Sequence, residues 1–393
     1  MSESTTGQGK NKLGFGYMRV PHVNGVFDYE SVNAMVDRFI ELGFTYFDSA
    51  SEYLGSELAL GKSLVARYPR ESYWFSSKMN ILSMSEPKHL QEMFDKTLRR
   101  TGAEYLDAYF IHILSPPLFE QADKLGAWEF LRGLKERGMI KHIGTSYHGP
   151  PEKLDELLTA HPEIDIVLSM INYIDWARPD FLGRDVYEVI KKHGKQVTVI
   201  EPCKGGLLAS ENTEAAKVLK AANPDVSAAS WAFRFVLGFD NIKAVLSGMG
   251  TIAQVEDNAK TFNNYAPFTE AEQKALDEAI GLIQAQPRIP CTSCGECAPH
   301  CPVKISIPFM VNLWSDHLVY LDKEGPGYLI GYLKTHGSGS PVECTKCGAC
   351  ESRCPENIPI MDIMENLERE LGETSRKYVQ ITKKIDNYEV TVG

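Results

Sequence analysis

Two runs of cysteines are the part of this sequence whose residue types and spacing point most directly to chemistry. The first, CTSCGECAPHCP, spans residues 291–302, and the second, CTKCGACESRCP, spans residues 344–355. Each reads Cys-x-x-Cys-x-x-Cys-x-x-x-Cys-Pro, so the two runs use eight of the nine cysteines. Three closely spaced thiolates can reach three corners of a cuboidal cluster, while the last Cys and its Pro redirect the chain. The spacing therefore predicts two 4Fe-4S clusters.

The two runs resemble the cysteine signature of bacterial two-cluster ferredoxins. In that family the first three thiolates of a run hold one cluster and the fourth crosses to the other. The resemblance implies one ligand set of Cys291, Cys294, Cys297 and Cys354, and a second set of Cys344, Cys347, Cys350 and Cys301.

Zinc and disulfide bonds are the alternatives for these cysteines. A structural zinc site is typically formed by two separated cysteine pairs, which is a different spacing. Disulfides belong to oxidising compartments, and the N-terminus MSESTTGQGKNK has no apolar stretch of an export signal. We therefore favour clusters and expect a cytoplasmic protein.

Length and composition suit one large domain followed by a small one. The chain has 393 residues, of which 43% are hydrophobic and 24% charged, as is usual for a globular protein. No apolar run approaches the ~20 residues that cross a bilayer, so no membrane span is expected. A formal net charge of -11 argues against nucleic acid as a partner, because phosphate binding favours a basic surface.

Strand-like and helix-like segments alternate over most of the chain before the cysteines. Seven strand-like segments follow a short hairpin with a turn at Asn24-Gly25, and a short strand near Leu13 could complete a ring of eight. This alternation predicts an α/β fold, a TIM-like (β/α)8 barrel. The seven segments are FTYFDSA, YWFSSKM, YLDAYFIHIL, KHIGTSYHG, IDIVLSMINY, QVTVIEP and NIKAVLSG.

Four regions are expected along the chain. They are a disordered tail at 1–11, the barrel at 12–286, a small, mainly helical ferredoxin-type 2x(4Fe-4S) domain at 287–372, and a C-terminal tail at 373–393. A capping box at Thr269 and Glu272 predicts a helix after the barrel strands. A last helix is expected from Pro359, with Gly372 just past its end. Trp314, between the cysteine runs, is expected in the core of the small domain.

Polar residues stand where the predicted strands end, which is where barrels place their chemistry. The strand near Leu13 counts as the first here. Asp48 then ends the second strand, Tyr53 follows it in a loop, Lys78 ends the third strand and His112 ends the fourth. The surrounding motifs GFGYMR, FDSASEYLGSE, SSKM and YFIHIL resemble those of the aldo-keto reductase superfamily. The resemblance covers most of residues 12–265, and it implies that these four residues form a catalytic tetrad.

Carbonyl reduction is a reaction that these four residue types can support. It needs a hydride on carbon and a proton on oxygen, and a buried cation such as Lys78 makes a tyrosine a better proton donor. Asp48 would keep Lys78 charged and aimed, and His112 would hydrogen-bond the carbonyl group. Each residue alone also has an ordinary structural explanation, but the ordered set within these motifs favours the catalytic one.

The same resemblance implies contacts to NADH or NADPH, with departures from the family. Ser146 matches a family serine, whereas Tyr147, Ser169 and Ile200 replace residues that commonly hold or stack on the nicotinamide. The loss of these contacts leaves room for a flavin in the barrel. We prefer the interpretation that the barrel binds NADH or NADPH through other side chains.

The segment LSGMGTIAQVEDN is expected to hold the adenosine part of the dinucleotide. Ser247 belongs to this segment, and Asp257 and Asn258 resemble the pair that binds adenine in the family. Gly248 and Gln254 replace a Lys and an Arg that often bind the 2′-phosphate, so the sequence leaves NAD and NADP open.

The segment EPCKGGLLA begins at the end of the strand-like segment QVTVIEP. Its Gly205-Gly206 pair could let the backbone approach a phosphate, and Cys203 is interpreted as a small apolar residue. His148, at another strand end, is a candidate for the substrate pocket.

Two classes of function follow from these features. In the first, an enzyme reduces a small aldehyde or ketone with NAD(P)H, and its clusters either connect it to a ferredoxin-like redox partner or are structural. In a variant, the clusters feed a barrel-bound flavin, because a nicotinamide exchanges two electrons and a cluster one. In the second class, the protein is a non-catalytic electron carrier or redox sensor, which the complete tetrad disfavours.

Overall fold

A computed structural model describes residues 9, 11–23, 26–53, 55–82, 84–176, 183–320, 324–335 and 337–392. The turn expected at Asn24-Gly25 and most of the expected N-terminal tail lie outside these residues. The chain divides into two compact units. The first comprises residues 1–23, 27–204 and 223–273, and the second comprises 24–26, 205–222 and 274–393.

Eight parallel strands of the first unit close into a barrel, which confirms the expected fold. The short strand β1 closes the ring by pairing with β10 on one side and β4 on the other. Strands β2 and β3 form a separate two-stranded sheet. The strands are β1 (Leu13–Gly16), β2 (His22–Val23), β3 (Val26–Phe27), β4 (Tyr46–Asp48), β5 (Trp74–Met79), β6 (Leu106–Leu114), β7 (Ile140–Tyr147), β8 (Ile166–Met170), β9 (Gln196–Ile200) and β10 (Ile242–Ser247).

Helices follow most of the barrel strands, as a (β/α)8 topology requires. Buried apolar positions recur on one face of each long helix, as Val32, Met35, Val36 and Phe39 do on α1. The helices up to the cysteine runs are α1 (Tyr29–Glu41), α2 (Ser56–Leu60), α3 (Lys88–Thr101), α4 (Phe119–Leu125), α5 (Ala127–Glu136), α6 (Pro151–Ala160), α7 (Tyr173–Trp176), α8 (Gly183–Lys192), α9 (Glu214–Ala222), α10 (Ala228–Leu237), α11 (Ile252–Asn263) and α12 (Glu270–Gln284). None of the described helices is long and apolar enough to cross a membrane.

The predicted capping box at the start of α12 is present. The Glu272 carboxylate accepts the backbone N–H of Thr269 at 2.9 Å, and the Thr269 hydroxyl accepts the N–H of Glu272 at 3.2 Å. Glu272 also accepts two bonds from the Arg234 guanidinium, at 2.7 and 2.9 Å. This buried pair holds the pKa of Glu272 well below its usual range.

Side chains alternate between the barrel interior and the helix-facing side along each strand. On β6, Ala108 and Phe110 pack with Ile166 and Leu168 of β8 across the interior. Phe110 covers Gly144 of β7, where an added Cβ would come within 2.2 Å of its ring. Gly144 is therefore the residue that lets this aromatic side chain fill the barrel.

The second unit is mainly helical and repeats one backbone conformation in its two cysteine runs. The third residue of each run is left-handed, with φ 57° at Ser293 and 54° at Lys346. The fifth is a left-handed glycine, with φ 82° at Gly295 and 72° at Gly348. Burial also repeats, because the second Cys of each run is exposed and the third is buried. The two cysteine runs thus repeat in structure as well as in sequence.

Three helices complete this unit, and Trp314 lies in its apolar core as expected. They are α13 (Ile307–Tyr320), α14 (Glu324–Thr335) and α15 (Ile360–Val392). The expected end of the last helix at Gly372 is wrong, because α15 continues through that residue. Beyond it, α15 packs closely on α14, where a Cβ at Gly327 would lie 2.5 Å from Thr374 and one at Gly331 would lie 2.8 Å from Tyr378. This packing outweighs the helix-ending tendency of Gly372.

Candidate functional site

Asp48 and Lys78 form an ion pair at the carboxyl ends of neighbouring strands β4 and β5. The Lys78 ammonium donates to Asp48 Oδ1 and, at 2.7 Å, to the carbonyl oxygen of Ser49. The other Asp48 oxygen accepts the Ser76 hydroxyl at 2.7 Å. Only 1% of the Lys78 side chain and 4% of the Asp48 side chain are exposed. The pair is therefore almost fully desolvated, with several of its polar atoms hydrogen-bonded.

Tyr53 and His112 complete the group that the sequence predicted. Lys78 Nζ lies 5.0 Å from the centre of the Tyr53 ring. The Tyr53 hydroxyl lies 3.4 Å from Nε2 of His112, and the two rings meet edge to face. The structure thus brings Asp48, Tyr53, Lys78 and His112 together at one end of the barrel.

Glu52 belongs to this group and was missed by the sequence analysis. Its Oε2 bonds to Nδ1 of His112, and its Oε1 accepts the side-chain amide of Asn80. Burial lowers the pKa of His112 below its ordinary value. Glu52 acts in the opposite direction, and Lys78 adds a smaller lowering effect. The sequence signal for Glu52 was its position directly before Tyr53, within the motif FDSASEYLGSE.

Ser146 and His148 lie together at the end of β7. The Ser146 hydroxyl is 3.2 Å from Nε2 of His148. Burial, with a smaller effect of His112, lowers the pKa of His148 to about 4. Tyr147, between them, donates its hydroxyl to the carbonyl oxygen of Pro150 at 2.6 Å, so that hydroxyl is already engaged.

Ser169, which stands where the family commonly has a nicotinamide contact, faces away from the barrel interior. Leu168 packs with Phe110 inside the barrel, and adjacent residues of a strand point to opposite faces. Ser169 therefore lies on the helix-facing side of β8, and the structure does not bring it to Ser146. Leu168 and Met170 are the inward residues at this end of the strand.

The segment after β10 is held by a set of side-chain hydrogen bonds. Asn258 donates to the Ser247 hydroxyl at 3.0 Å, Asp257 accepts the Ser227 hydroxyl at 2.6 Å, and Gln254 accepts the backbone N–H of Gly250 at 2.7 Å. The Arg19 side chain lies 3.3 Å from the position that a Cβ would take at Gly248. The structure therefore groups Ser247, Gly248, Gln254, Asp257 and Asn258 around the start of α11.

Gly205 and Gly206 belong to the second unit, and both have left-handed φ angles, 70° and 105°. Cys203 precedes them in the first unit. Burial raises the pKa of its thiol to about 12, which keeps the thiol protonated near neutral pH. That state fits the expected apolar role and does not fit a nucleophile.

Two cavities of the second unit collect the cysteines in the crossed sets that the ferredoxin resemblance implied. The cavity that we call the Cys291 cavity is lined by Cys291, Cys294, Cys297 and Cys354. The cavity that we call the Cys344 cavity is lined by Cys344, Cys347, Cys350 and Cys301.

The geometry of these cavities fits a cluster better than a single ion. Within the described part of the chain, no group of three or more His, Cys, Asp or Glu residues is arranged to hold one metal ion. Four thiols line each cavity, which is the number of thiolate ligands that a 4Fe-4S cluster takes. The remaining lining is largely apolar, with Ile307 and Ile360 shared by both cavities.

Comparisons with known proteins identify both parts of the chain. The aldo/keto reductase family model matches residues 12–280, and a 4Fe-4S dicluster domain model matches residues 283–355. L-galactose dehydrogenase of Arabidopsis thaliana is 26% identical over 304 residues, which are 71% of this chain and 91% of that protein. An aldo-keto reductase of Mycobacterium avium is 27% identical over 235 residues, which are 60% of this chain and 77% of that protein.

Solved structures show the same barrel fold. The holo form of an aldo-keto reductase from Bacillus halodurans aligns with a TM-score of 0.55 and 24% identity, over 68% of this chain and 91% of that one. An aldo-keto reductase from Klebsiella pneumoniae in complex with NADP and acetate aligns with a TM-score of 0.53 and 20% identity, over 68% of this chain and 89% of that one.

The barrel and its residue set thus define an oxidoreductase, and the chain belongs to the aldo/keto reductase family. It is a member that carries a 4Fe-4S dicluster domain after the barrel.

We expect His148 to make the stability of the barrel sensitive to acid. Its folded pKa of about 4 lies below the ordinary value of 6.5, so the unfolded state binds the proton more tightly. The contribution of His148 to stability is then fully present above pH 6.5 and is lost as the pH falls towards about 4. At about pH 5 the loss from this residue should be about 2 kcal/mol.

Urea unfolding of wild type and His148→Asn, followed by circular dichroism at about pH 7 and about pH 5, measures this loss. The decrease between the two pH values should be smaller in the variant, and pH-independent packing losses cancel in the comparison. Equal decreases in both proteins would show that His148 is not held neutral by the fold.

Proposed function

We propose that the barrel reduces the carbonyl group of a small aldehyde or ketone with NAD(P)H, and that the second unit holds two 4Fe-4S clusters that exchange single electrons. The observation that carries the first part is the placement of the Tyr53 hydroxyl. One phenol is next to a buried ammonium, Lys78, and within reach of an imidazole, His112. That is the environment in which a phenol can donate a proton near neutral pH.

Each member of the group has a defined part in this proposal. Tyr53 donates the proton to the carbonyl oxygen, and Lys78 stabilises the phenolate that remains. Asp48 and the Ser49 carbonyl fix the position of the ammonium. His112 holds the phenol in place. The nicotinamide supplies the hydride when the dinucleotide is bound.

The dinucleotide site is proposed from the residues around α11 and β7. Ser247, Gly248, Gln254, Asp257 and Asn258 would hold the adenosine part, and Ser146 would contact the nicotinamide end. The Cβ, Cγ and Cδ atoms of Arg19 lie beside Gly248, and the proposal covers NADH and NADPH alike. Ser169 is not part of this proposed site.

The eight cysteines are the proposed ligands of the clusters. The exposed Cys294 and Cys347 would bring one thiolate of each set to the surface, where a ferredoxin-like redox partner could exchange electrons. The flavin alternative rests on Tyr147 and Ile200, which replace residues that commonly contact the nicotinamide in the family. A non-catalytic carrier has no such support, because it gives no reason for burying Lys78.

Tyr53→Phe should abolish carbonyl reduction while leaving dinucleotide binding intact. Loss of the proton donor should lower kcat by at least about 100-fold, and the Kd for NADPH should change little because the ring is retained. Oxidation of NADPH by 4-nitrobenzaldehyde and quenching of protein fluorescence by NADPH measure the two quantities.

Tyr105→Phe is the matched control, because Tyr105 precedes β6 at the opposite end of that strand and stacks on Arg70. It should keep wild-type activity. A Tyr53→Phe protein with full activity towards the aldehyde would remove the basis of the proposed reaction.

Protein purified without oxygen should contain about eight iron and eight sulfide ions per chain. Cys294→Ser and Cys347→Ser should each lower the iron content or change the electron paramagnetic resonance signal of one cluster. Cys203→Ser should leave both the iron content and the signals unchanged. Iron and sulfide analysis, with electron paramagnetic resonance of the reduced protein, measures this.

The same preparation decides between the electron carriers. Flavin released on denaturation in a one-to-one ratio would favour the cluster-to-flavin alternative. Two zinc ions per chain in place of iron would contradict the cluster assignment.

A further inference from the structure

The carboxylate of Glu52 turns the Tyr53–His112 contact into a chain of three proton-exchanging groups. The Tyr53 hydroxyl meets Nε2 of His112, and Nδ1 of the same ring meets Oε2 of Glu52. The exposed fractions of the His112 and Glu52 side chains are 7% and 10%. Asn80 holds the other oxygen of Glu52, so the carboxylate is fixed from both sides.

This arrangement determines which nitrogen of His112 carries the proton. Glu52 can only accept at Nδ1 while it is ionised, so Nδ1 carries the hydrogen. Burial disfavours the doubly protonated ring. Nε2 of the neutral ring is then an acceptor, and the group it faces is the Tyr53 hydroxyl. A carbonyl oxygen could not accept a hydrogen bond from this nitrogen, which departs from the role that the sequence suggested for His112.

We propose that Tyr53, His112 and Glu52 form a proton relay between the reacting hydroxyl and the Glu52 carboxylate. This inference rests on the proposed carbonyl chemistry for Tyr53. In the direction of alcohol oxidation, the Tyr53 proton moves to Nε2 while the Nδ1 proton moves to Glu52 Oε2. The products are a phenolate next to the Lys78 ammonium, the other neutral tautomer of His112, and a protonated Glu52. The reverse transfers return a proton to the phenolate, and charge is conserved at each step.

The resting tautomer is the first test, and it requires no turnover. Nitrogen-15 chemical shifts of the histidines, with His112 assigned by its loss in His112→Gln, distinguish a protonated Nδ1 from a protonated Nε2. We expect a neutral ring at about pH 7 with hydrogen on Nδ1. Hydrogen on Nε2 or a doubly protonated ring would overturn the relay, whatever the protein reduces.

Glu52→Gln is the second test, because its amide keeps an oxygen near Nδ1 but cannot take up the proton. With NADPH and 4-nitrobenzaldehyde, kcat should fall by about 100-fold with KM little changed. The solvent isotope effect on kcat should change from a curved to a linear dependence on the D2O fraction, as one moving proton replaces several.

Glu120→Gln makes the same chemical change on a side chain that is 79% exposed, and it should behave as wild type. An unchanged isotope effect and pH profile in Glu52→Gln would show that Glu52 only supports the structure. If no carbonyl compound is turned over at all, the proposed reaction fails, and the tautomer measurement still decides the resting state of the relay.

A separate observation concerns the two cysteine cavities, which differ in charge at equivalent positions of the repeat. Glu296 and Glu356 line the Cys291 cavity. The equivalent residues of the other half are Ala349 and Val303, and none of the described residues that line the Cys344 cavity is an Asp or Glu. Glu351 acts on Cys350 from outside this lining, and Lys346 brings the opposite charge to Cys344. Carboxylates disfavour the addition of an electron to a nearby group, because the added charge is repelled.

We infer that Glu296 and Glu356 make the Cys291 cavity the site of lower reduction potential, so that a single electron in the second unit resides in the Cys344 cavity. The inference rests on the proposed cluster binding. Both carboxylates are solvent-exposed, so the difference between the two sites should decrease as the salt concentration rises.

Redox titration with dithionite, followed by electron paramagnetic resonance, measures the two potentials without any enzymatic assay. The double variant Glu296→Ala with Glu356→Val should raise the lower potential and bring the two together. The double variant Val303→Glu with Ala349→Glu should lower the higher potential instead. Glu373→Ala, an exposed change on α15, should alter neither.

If both double variants shift the same potential, or if neither shifts one, the assignment is wrong. Failure to bind iron would be a different result, visible in the metal content before any titration.

Discussion

The ion pair between Lys78 and Asp48 is the constraint on which the active end of the barrel depends. An ammonium that is almost completely removed from water is tolerated only with a charged partner and further hydrogen bonds. The partner comes from the neighbouring strand, because the register of β4 and β5 places Asp48 beside Ser76, which binds the second carboxylate oxygen. Removing either charge would leave the other buried and unpaired, at a cost of about 3–5 kcal/mol. Such a pair also provides a fixed positive charge where a phenolate would form, without reorganisation during a reaction.

The second unit positions its side chains in a different way. The barrel fixes polar groups through strand register, whereas each cysteine run relies on left-handed residues that bend the backbone around a cavity. The buried Cys297 and Cys350 are part of the same apolar core as Trp314 and Ile307. The core therefore continues to the edge of each cavity, and its packing determines where the thiols point.

The sequence predicted the parts of this structure that follow from periodicity and from complete motifs. The eight-stranded barrel, the crossed cysteine sets and the association of Asp48, Tyr53, Lys78 and His112 are all present. Ser169 shows the limit of aligning a motif by eye, because a shift of one residue in a strand moves a side chain to the opposite face. Gly372 shows how packing can override a helix-ending residue, since close contact with α14 continues the helix. Glu52 could not be singled out, because only the fold reveals that a loop carboxylate meets a histidine sixty positions along the chain.

In the proposed function the two units would exchange electrons in different numbers, and this limits how they could cooperate. In the proposed reaction, the hydride carries two electrons and Tyr53 supplies the proton. Each cluster would accept one electron. If the clusters were purely structural, burying every cysteine would give the most stable arrangement, because exposed thiolates invite oxidation. Instead, the second Cys of each run is exposed while the third is buried, and this pattern is the same in both halves. A surface-accessible thiolate shortens the distance to an external redox partner without weakening the core. Because both halves show this exposure, it supports the proposal that single electrons are exchanged at the surface.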